Sequence, residues 1–287
     1  MRGFSAEGAY GRLSGEVDPD FAAVADAFRT NFEDRDELGA ALCVIRDGKV
    51  VANLWGGFAD ADRQTPWQRD TMTVVFSATK GVTAICAHML VEEGALDLDA
   101  PVADLWPEFA QAGKDGTTLR MMLDHSASVP AFREKLKAGG VYDWEYMTAR
   151  VAAEPAYWPP GTRSGYHGTT YSWTVGEMIR RAAGMSVGRF FRERIGDPQG
   201  LDFWIGLPEA EEGRVAPVIP YRHPANAPLP PFLQAVLHDR ASVAANFVYN
   251  SGSLLGGAIN SREAHAAEIP AANGIGTAAA LARIYSA

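Results

Sequence analysis

The sequence contains few cysteines, no cluster of basic residues and no long apolar run. Its two cysteines, Cys43 and Cys86, lack the spacing of a metal site or a redox pair, and they predict reduced, buried thiols in a cytoplasmic protein. The formal net charge of −9 argues against a nucleic-acid partner. No apolar stretch reaches the roughly 18 residues of a membrane span, and Met1–Glu7 has no signal-peptide core. These absences, together with the lack of a carboxylate cluster, predict no membrane, metal or cofactor.

The composition is that of an ordinary globular protein. Of the 287 residues, 47% are hydrophobic and 21% are charged, which suits a core of one or two domains. Asp18-Pro19 begins a predicted helix. Two predicted strands, Ala40–Arg46 and Lys49–Phe58, flank Asp47-Gly48, and Asp-Gly between such strands is a strong hairpin signal.

Helical periodicity dominates the middle of the chain. It predicts helices over Thr118–His125, Trp144–Glu154, Thr170–Ala183 and Val187–Ile195. The Pro-rich segment Asp197–Phe232 is predicted to be an irregular loop beside a pocket. A hairpin followed by helices indicates an α+β fold in which an α/β domain, residues 1–100 with about 258–287, is interrupted by a mostly helical domain of about 101–257. We expect the functional site between these two domains.

Ser77 and Lys80 form the most informative pair of residues. They lie three residues apart in Val74–Gly81, where an apolar run leads into a helix, so both side chains share one helical face. A lysine in a dry site has a lowered pKa and can take the proton that makes serine a nucleophile. The alternative is a helix start with a surface lysine, because Ser-x-x-Lys also occurs by chance.

The helix that follows this pair is predicted from an apolar stripe at Val82, Ile85, Cys86, Met89 and Leu90. Gly94 is its predicted end. The residues on the side of Lys80 are small, namely Gly81, Ala84 and Ala87. Small side chains beside a lysine predict that another part of the protein packs closely there.

Several other residues are candidates for the site. Gly184–Gly188 matches the Gly-x-Ser-x-Gly elbow of α/β-hydrolases, but a helix precedes it, so Ser186 is predicted to be a helix N-cap. His125 and His167 are candidate bases, with a structural or substrate-edge role as the alternative. Tyr171 and Trp173 are candidate walls of an acyl pocket, with core packing as the alternative.

Four segments in order resemble one known family. They are Phe76–Gly81, Leu123–Pro130, Pro160–Tyr171 and Ile269–Ile284, within a resemblance that covers about residues 18 to 287. The sequence resembles the family VIII carboxylesterases, which share the fold of class C β-lactamases and D-alanyl-D-alanine carboxypeptidases. The resemblance implies a serine esterase that hydrolyses small carboxylic esters through an acyl-enzyme.

The same resemblance implies roles for individual residues. Ser77 would be the nucleophile, and Lys80 and Tyr166 would move its proton together. His125, His167, Tyr171 and Trp173 are candidate substrate contacts from their own segments, and the resemblance is not the ground for them. The family's Tyr-x-Asn motif is Tyr166-His167-Gly168 here, so the asparagine amide is missing, which favours an esterase over an efficient β-lactamase. A weak β-lactamase or a penicillin-binding activity on the same residues is the alternative.

The family's third motif is not found before Ala287. Ile275–Ile284 continues an apolar helical pattern, and we expect the C-terminal strands of the family to be absent. The sheet would then be incomplete, with an open edge at Ala40–Arg46 and half of the oxyanion hole missing. A third interpretation follows, namely a catalytically impaired fragment that needs an oligomer or a complementing C-terminal segment.

Overall fold

The structure, a computed structural model, describes residues 1–220, 223–224, 226–252 and 256–286. The strands are β1 Arg2–Gly8, β2 Gly11–Val17, β3 Gly39–Arg46, β4 Lys49–Gly57, β5 Thr73–Val74, β6 Phe203–Trp204 and β7 Ile275–Gly276. The α-helices are α1 Ala22–Asp34, α2 Thr79–Glu92, α3 Leu119–Leu123, α4 Trp144–Ala153, α5 Tyr171–Ala183, α6 Val187–Phe191, α7 Pro231–His238, α8 Val243–Asn250, α9 Arg262–Ala266 and α10 Ala278–Ile284. Short 3₁₀ turns and one π-helical turn, Arg192–Gly196, connect several of them.

The first sheet is antiparallel, with the order β1-β2-β4-β3. The predicted hairpin is confirmed as β3 and β4, and its turn residues Asp47 and Gly48 have φ values of 50° and 72°, as a primed hairpin turn requires. The hairpin β1–β2 is not predicted by the sequence. Its first strand is mostly exposed, so β1 lacks the apolar alternation that marks a half-buried strand.

A small core lies between this sheet and α1. The predicted helix is confirmed, with a 3₁₀ turn at Pro19–Phe21 leading into α1. Phe28 and Phe32 of α1 are buried against Leu13 and Leu54 of the sheet. Their burial removes large apolar surfaces from water, which is the main favourable term in folding.

A larger core joins α2, the middle helices and a second sheet of order β5-β7-β6. The helices predicted between residues 118 and 195 are present as α3, α4, α5 and α6. Two expectations are wrong. The segment Asp197–Phe232 is not wholly irregular, because it contains β6, which pairs with β7. The helix expected from Ile275 begins only at α10, because Ile275 and Gly276 form β7 and Thr277 caps the helix.

Strand β3 lies at one of the two edges of the first sheet, opposite β1. Within the described ranges it pairs only with β4, and α10 packs against it. Its residues from Gly39 to Ile45, Leu42 and Val44 among them, are half-buried. The division into domains near residues 100 and 258 stays a prediction. Across the described residues, no helix combines the length and apolar character needed to cross a bilayer.

Candidate active site

Ser77 lies in a tight turn that leads directly into α2. The turn is a 3₁₀ segment, Phe76–Ala78, and Phe76 has a left-handed φ of 45°, which is unusual for a bulky residue. The Thr79 hydroxyl donates a hydrogen bond of 2.5 Å to the Phe76 carbonyl, and the Gly274 N–H donates one of 2.8 Å to the same hydroxyl. A segment distant in sequence therefore holds the turn that presents Ser77.

Lys80 is buried beside Ser77, with 7% of its surface exposed. Its Nζ lies 3.2 Å from the Ser77 hydroxyl, and it donates to the carbonyls of Gly168 (2.8 Å) and Ala271 (2.9 Å). Burial lowers the pKa of Lys80, and its contacts with Tyr166 only partly oppose this. A lowered pKa increases the fraction of neutral amine, the form that can accept a proton.

Tyr166 completes a cluster of three polar groups. Its hydroxyl donates a hydrogen bond of 2.6 Å to the Ser77 hydroxyl, and Lys80 Nζ lies 4.8 Å from the centre of its ring. Burial raises the pKa of Tyr166, but its hydrogen bond to Ser77 and its interaction with the nearby Lys80 amine lower this pKa by more, so the net shift is downward. Sequence reasoning named all three residues, and the structure brings them together.

His167 joins the loop that carries Tyr166 to the loop after α3. Its side chain is fully buried, its Nδ1 lies 2.6 Å from the Gly165 carbonyl, and its Nε2 accepts from the Val129 N–H at 3.1 Å. This pattern requires a neutral ring that carries its proton on Nδ1. Burial lowers the pKa of His167 to about 4, so this neutral form persists through the physiological range.

His125 lies between the aromatic rings of the site. Its Nδ1 accepts a hydrogen bond of 3.1 Å from the His167 backbone N–H, and its ring lies 4.9 Å from the Tyr166 ring and 5.4 Å from the Tyr171 ring. Burial, with the Lys80 charge, lowers its pKa. His125 therefore contacts the Tyr166 ring directly, whereas His167 bonds the backbone of the segment that carries Tyr166.

The remaining predicted substrate contacts lie deeper. Tyr171 is buried under Lys80, with its hydroxyl 3.4 Å from the Lys80 carbonyl. Trp173 is buried in the larger core, and no hydrogen bond or ring contact found in the described residues joins it to Ser77, Lys80 or Tyr166. A substrate contact by Trp173 stays a prediction. Thr170 precedes α5 and makes no side-chain cap.

Ser186 is not part of this cluster. Gly184 ends α5 in a left-handed conformation (φ 68°), and Ser186 accepts from the Arg189 N–H as the N-cap of α6. The Ser186 hydroxyl also donates to Glu268 at 2.6 Å. The interpretation of Ser186 as a helix N-cap is therefore confirmed.

Two partners of the cluster have no signature in the sequence. The lysine acceptors on Gly168 and Ala271 are backbone carbonyls, which any residue carries. Tyr285 packs where the small residues beside Lys80 predicted close packing, and a Cβ atom on Gly81 would lie 1.7 Å from its hydroxyl. In the part of the chain that is described, no group of three His, Cys, Asp or Glu side chains could hold a metal ion.

The buried imidazole of His167 generates a pH prediction. Its pKa of about 4 in the folded state lies below the ordinary 6.5, so the unfolded chain binds more protons between these values. The stabilisation is complete above pH 6.5 and is lost as the pH falls through about 4. We expect His167→Gln to reduce the change in the free energy of unfolding between pH 7 and pH 4 by up to about 3 kcal/mol.

The measurement is the free energy of unfolding in denaturant at a series of pH values from 4 to 7. His88→Gln is the control, because it removes an exposed imidazole from α2. If the free energy of unfolding of His167→Gln changed with pH as steeply as that of the wild type, the assignment of a neutral, buried ring would be contradicted.

Comparison with known proteins extends these observations. The chain is 38% identical over 284 residues to esterase/beta-lactamase LipL of Mycobacterium tuberculosis, covering 96% of this chain but 64% of LipL. A penicillin-binding protein homologue from Caulobacter crescentus matches with a TM-score of 0.80 and 41% identity, over 95% of this chain and 70% of that one. A family VIII carboxylesterase matches with a TM-score of 0.77 and 38% identity, over 92% of this chain and 68% of that one.

The expected resemblance is confirmed, as is the expected β-lactamase and penicillin-binding-protein type of α+β fold. This chain spans less than two thirds of the length of LipL. The family model described as Beta-lactamase matches residues 24–287. By this match, which includes all three members of the Ser77 cluster, the chain belongs to the beta-lactamase family.

Proposed function

We propose that the protein is a serine hydrolase that cleaves small carboxylic esters through an acyl-enzyme. The observation that carries this proposal is the Ser77 hydroxyl, which lies within hydrogen-bond reach of both a buried lysine amine and a tyrosine hydroxyl. The names of its relatives, an esterase/beta-lactamase and a family VIII carboxylesterase, support an ester substrate. The free thiols of Cys43 and Cys86 support a cytoplasmic location.

In the proposed reaction Lys80 and Tyr166 act as one proton-transfer unit. The unit takes the Ser77 proton while the Ser77 oxygen forms a bond to the ester carbonyl carbon. The tetrahedral intermediate collapses as the bond to the alcohol oxygen breaks, and the alcohol oxygen takes the proton from the unit. The unit then takes a proton from a water molecule while the water oxygen forms a bond to the acyl carbon. The bond to the Ser77 oxygen breaks, the Ser77 oxygen takes the proton from the unit, and the acid is released.

The negative oxygen of the intermediate needs hydrogen-bond donors. The Ser77 N–H is the first proposed donor, and the N-terminus of α2 beside it favours negative charge. The second donor is expected from the strand that carries the family's third motif. The alternative source that we propose is the stretch 250–257, of which residues 253–255 lie outside the described residues.

A β-lactamase activity on the same three residues is the second candidate, favoured by the double name of LipL. Gly168 offers no amide where the family's motif has asparagine, so we expect p-nitrophenyl butyrate to be turned over faster than nitrocefin. The measurement is kcat/KM for both substrates on one preparation. A larger kcat/KM for nitrocefin would favour the β-lactamase.

The third candidate is a catalytically impaired chain that needs a partner. It is favoured by β3, because this edge strand pairs with β4 alone among the described strands. We propose that a second copy or a complementing C-terminal segment pairs with β3, because an unpaired apolar edge strand recruits other strands. Light scattering and ester turnover would be measured together. A stable monomer with the turnover of a chain as long as LipL would contradict this proposal.

Ser77→Ala tests the nucleophile. Ester hydrolysis should fall by about 10³-fold or more with the fold intact, because no other hydroxyl replaces the attacking oxygen. Ser186→Ala is the matched control and should keep its activity, since Ser186 caps a helix. A phosphonate inhibitor, mapped by peptide mass, should label Ser77. Label on Ser186, or an active Ser77→Ala, would refute the assignment.

The shared proton path makes a second prediction. Lys80→Ala and Tyr166→Phe should each cost nearly as much activity as the double variant, because groups that act as a unit have non-additive effects. The measurement is kcat/KM for p-nitrophenyl butyrate in a double-mutant cycle. Losses that simply multiply in the double variant would mean that the two residues do not share one path.

A further inference from the structure

Gly168 leaves room for an aromatic ring from a helix distant in sequence. A Cβ atom on Gly168 would lie 2.4 Å from Cε2 and 2.6 Å from Cζ of Phe247, closer than such atoms can approach. Gly168 is not among the glycines with positive φ, so its backbone conformation does not require glycine. A side chain at this position would therefore require the Phe247 ring to move.

This contact adjoins the catalytic cluster. The Gly168 carbonyl accepts a hydrogen bond of 2.8 Å from Lys80, whose Nζ lies 3.2 Å from the Ser77 hydroxyl. Two hydrogen bonds thus lead from Ser77 to the residue that the Phe247 ring covers. Phe247 itself is half-buried, so part of its surface remains open to a ligand.

The helix that carries Phe247 is anchored to the body of the protein by its polar side chains. Asn246 Nδ2 donates to the Tyr157 hydroxyl at 3.0 Å, and Asn250 Nδ2 donates to the carbonyls of Phe132 and Arg133, both at 2.9 Å. These bonds fix α8 at two positions one turn apart. They leave Phe247, which lies between them in sequence, as a fixed apolar surface.

Apolar side chains dominate the helix that carries Phe247 and the helix packed against it. No residue of α8 is charged, and the helix packed against it, α7, exposes Phe232 and Leu237 with 49% and 56% of their surfaces accessible. An aromatic ring offers apolar area and no hydrogen-bond partner to a substrate. A polar substituent placed against it would lose water without compensation.

We propose that Phe247 is a specificity-determining residue, which forms an apolar wall of the substrate site and selects esters with an alkyl chain. This inference rests on the proposed function, since it names the substrate class of the Ser77 site. The alkyl chain belongs either to the acyl group or to the alcohol of the ester, and both present the same methylene surface to the ring.

The experiment compares two substrate series in the wild type and in Phe247→Ala. One series is p-nitrophenyl acetate, butyrate and octanoate, and the other is the acetates of ethanol, butanol and octanol. In one series the wild-type kcat/KM should rise by up to about fourfold for each methylene that becomes buried. In Phe247→Ala this rise should shrink to about twofold or less for each methylene.

Tyr249→Ala is the matched control, because it removes an exposed aromatic ring from the same helix. It should keep the wild-type dependence on chain length. If the dependence on chain length changes in the p-nitrophenyl ester series, the ring contacts the acyl chain. If it changes in the acetate series, the ring contacts the alcohol chain. An equal loss for all chain lengths in Phe247→Ala, or no change in either series, would overturn the proposal.

A binding measurement separates this inference from the proposed chemistry. Calorimetric titration of Ser77→Ala with 2-butanone and 2-decanone requires no turnover. We expect Ser77→Ala to bind 2-decanone at least about tenfold more tightly than 2-butanone, and we expect Ser77→Ala/Phe247→Ala to lose this difference. That result would support the apolar wall even if the wild type hydrolysed no ester. Equal binding of the two ketones by Ser77→Ala would overturn it, even if ester hydrolysis were established.

Discussion

The burial of Lys80 is the constraint on which the arrangement of this site depends. Within the described part of the chain no carboxylate forms an ion pair with its amine, and its partners are a hydroxyl and two backbone carbonyls. A buried amine without an opposite charge is costly unless its hydrogen bonds are satisfied. Ser77, Gly168 and Ala271 must therefore all stay in place around one nitrogen atom.

A second set of bonds holds the same segments together. The Thr83 hydroxyl donates to the Pro270 carbonyl at 2.6 Å, one turn beyond the contact between Thr79 and Gly274. Asn273 stiffens this segment from within, because its side chain accepts from the Ile269 N–H and donates to the carbonyls of Ala264 and Ala267. Buried hydrogen bonds of this kind resist displacement, since each broken bond would leave an unsatisfied polar group. The lysine site is therefore part of a continuous network that joins α2 to residues 264–274.

Local patterns predicted a large part of this structure. The Asp47-Gly48 pair predicted the hairpin β3–β4, and the spacing of Ser77 and Lys80 predicted that their side chains lie together where α2 begins. Tyr166 could be named only through the family resemblance, because nothing in its own segment points to a residue 89 positions away. The strands of β5, β6 and β7 have two residues each, too few for any periodicity to appear.

The contacts that create the environment of Lys80 were beyond prediction for a different reason. Backbone carbonyls carry no side-chain signature, so neither acceptor could be identified from residue types. The ring of Phe247 against Gly168 is a contact between residues that are also remote in sequence. A glycine at position 168 could be noticed, but only the fold reveals which side chain occupies the space above it.

The long reach of the lysine contacts also affects how the protein is made. Ala271 follows Lys80 by 191 residues, and Gly274 follows Thr79 by 195. Synthesis proceeds from the N-terminus, so a nascent chain holds Ser77 and Lys80 long before either later segment exists. In that interval water surrounds the ammonium, which keeps the ordinary basicity of a lysine, and Ser77 is an ordinary alcohol. The growing chain thus carries an unactivated Ser77 and Lys80 until residues 264–274 are made and close over the lysine.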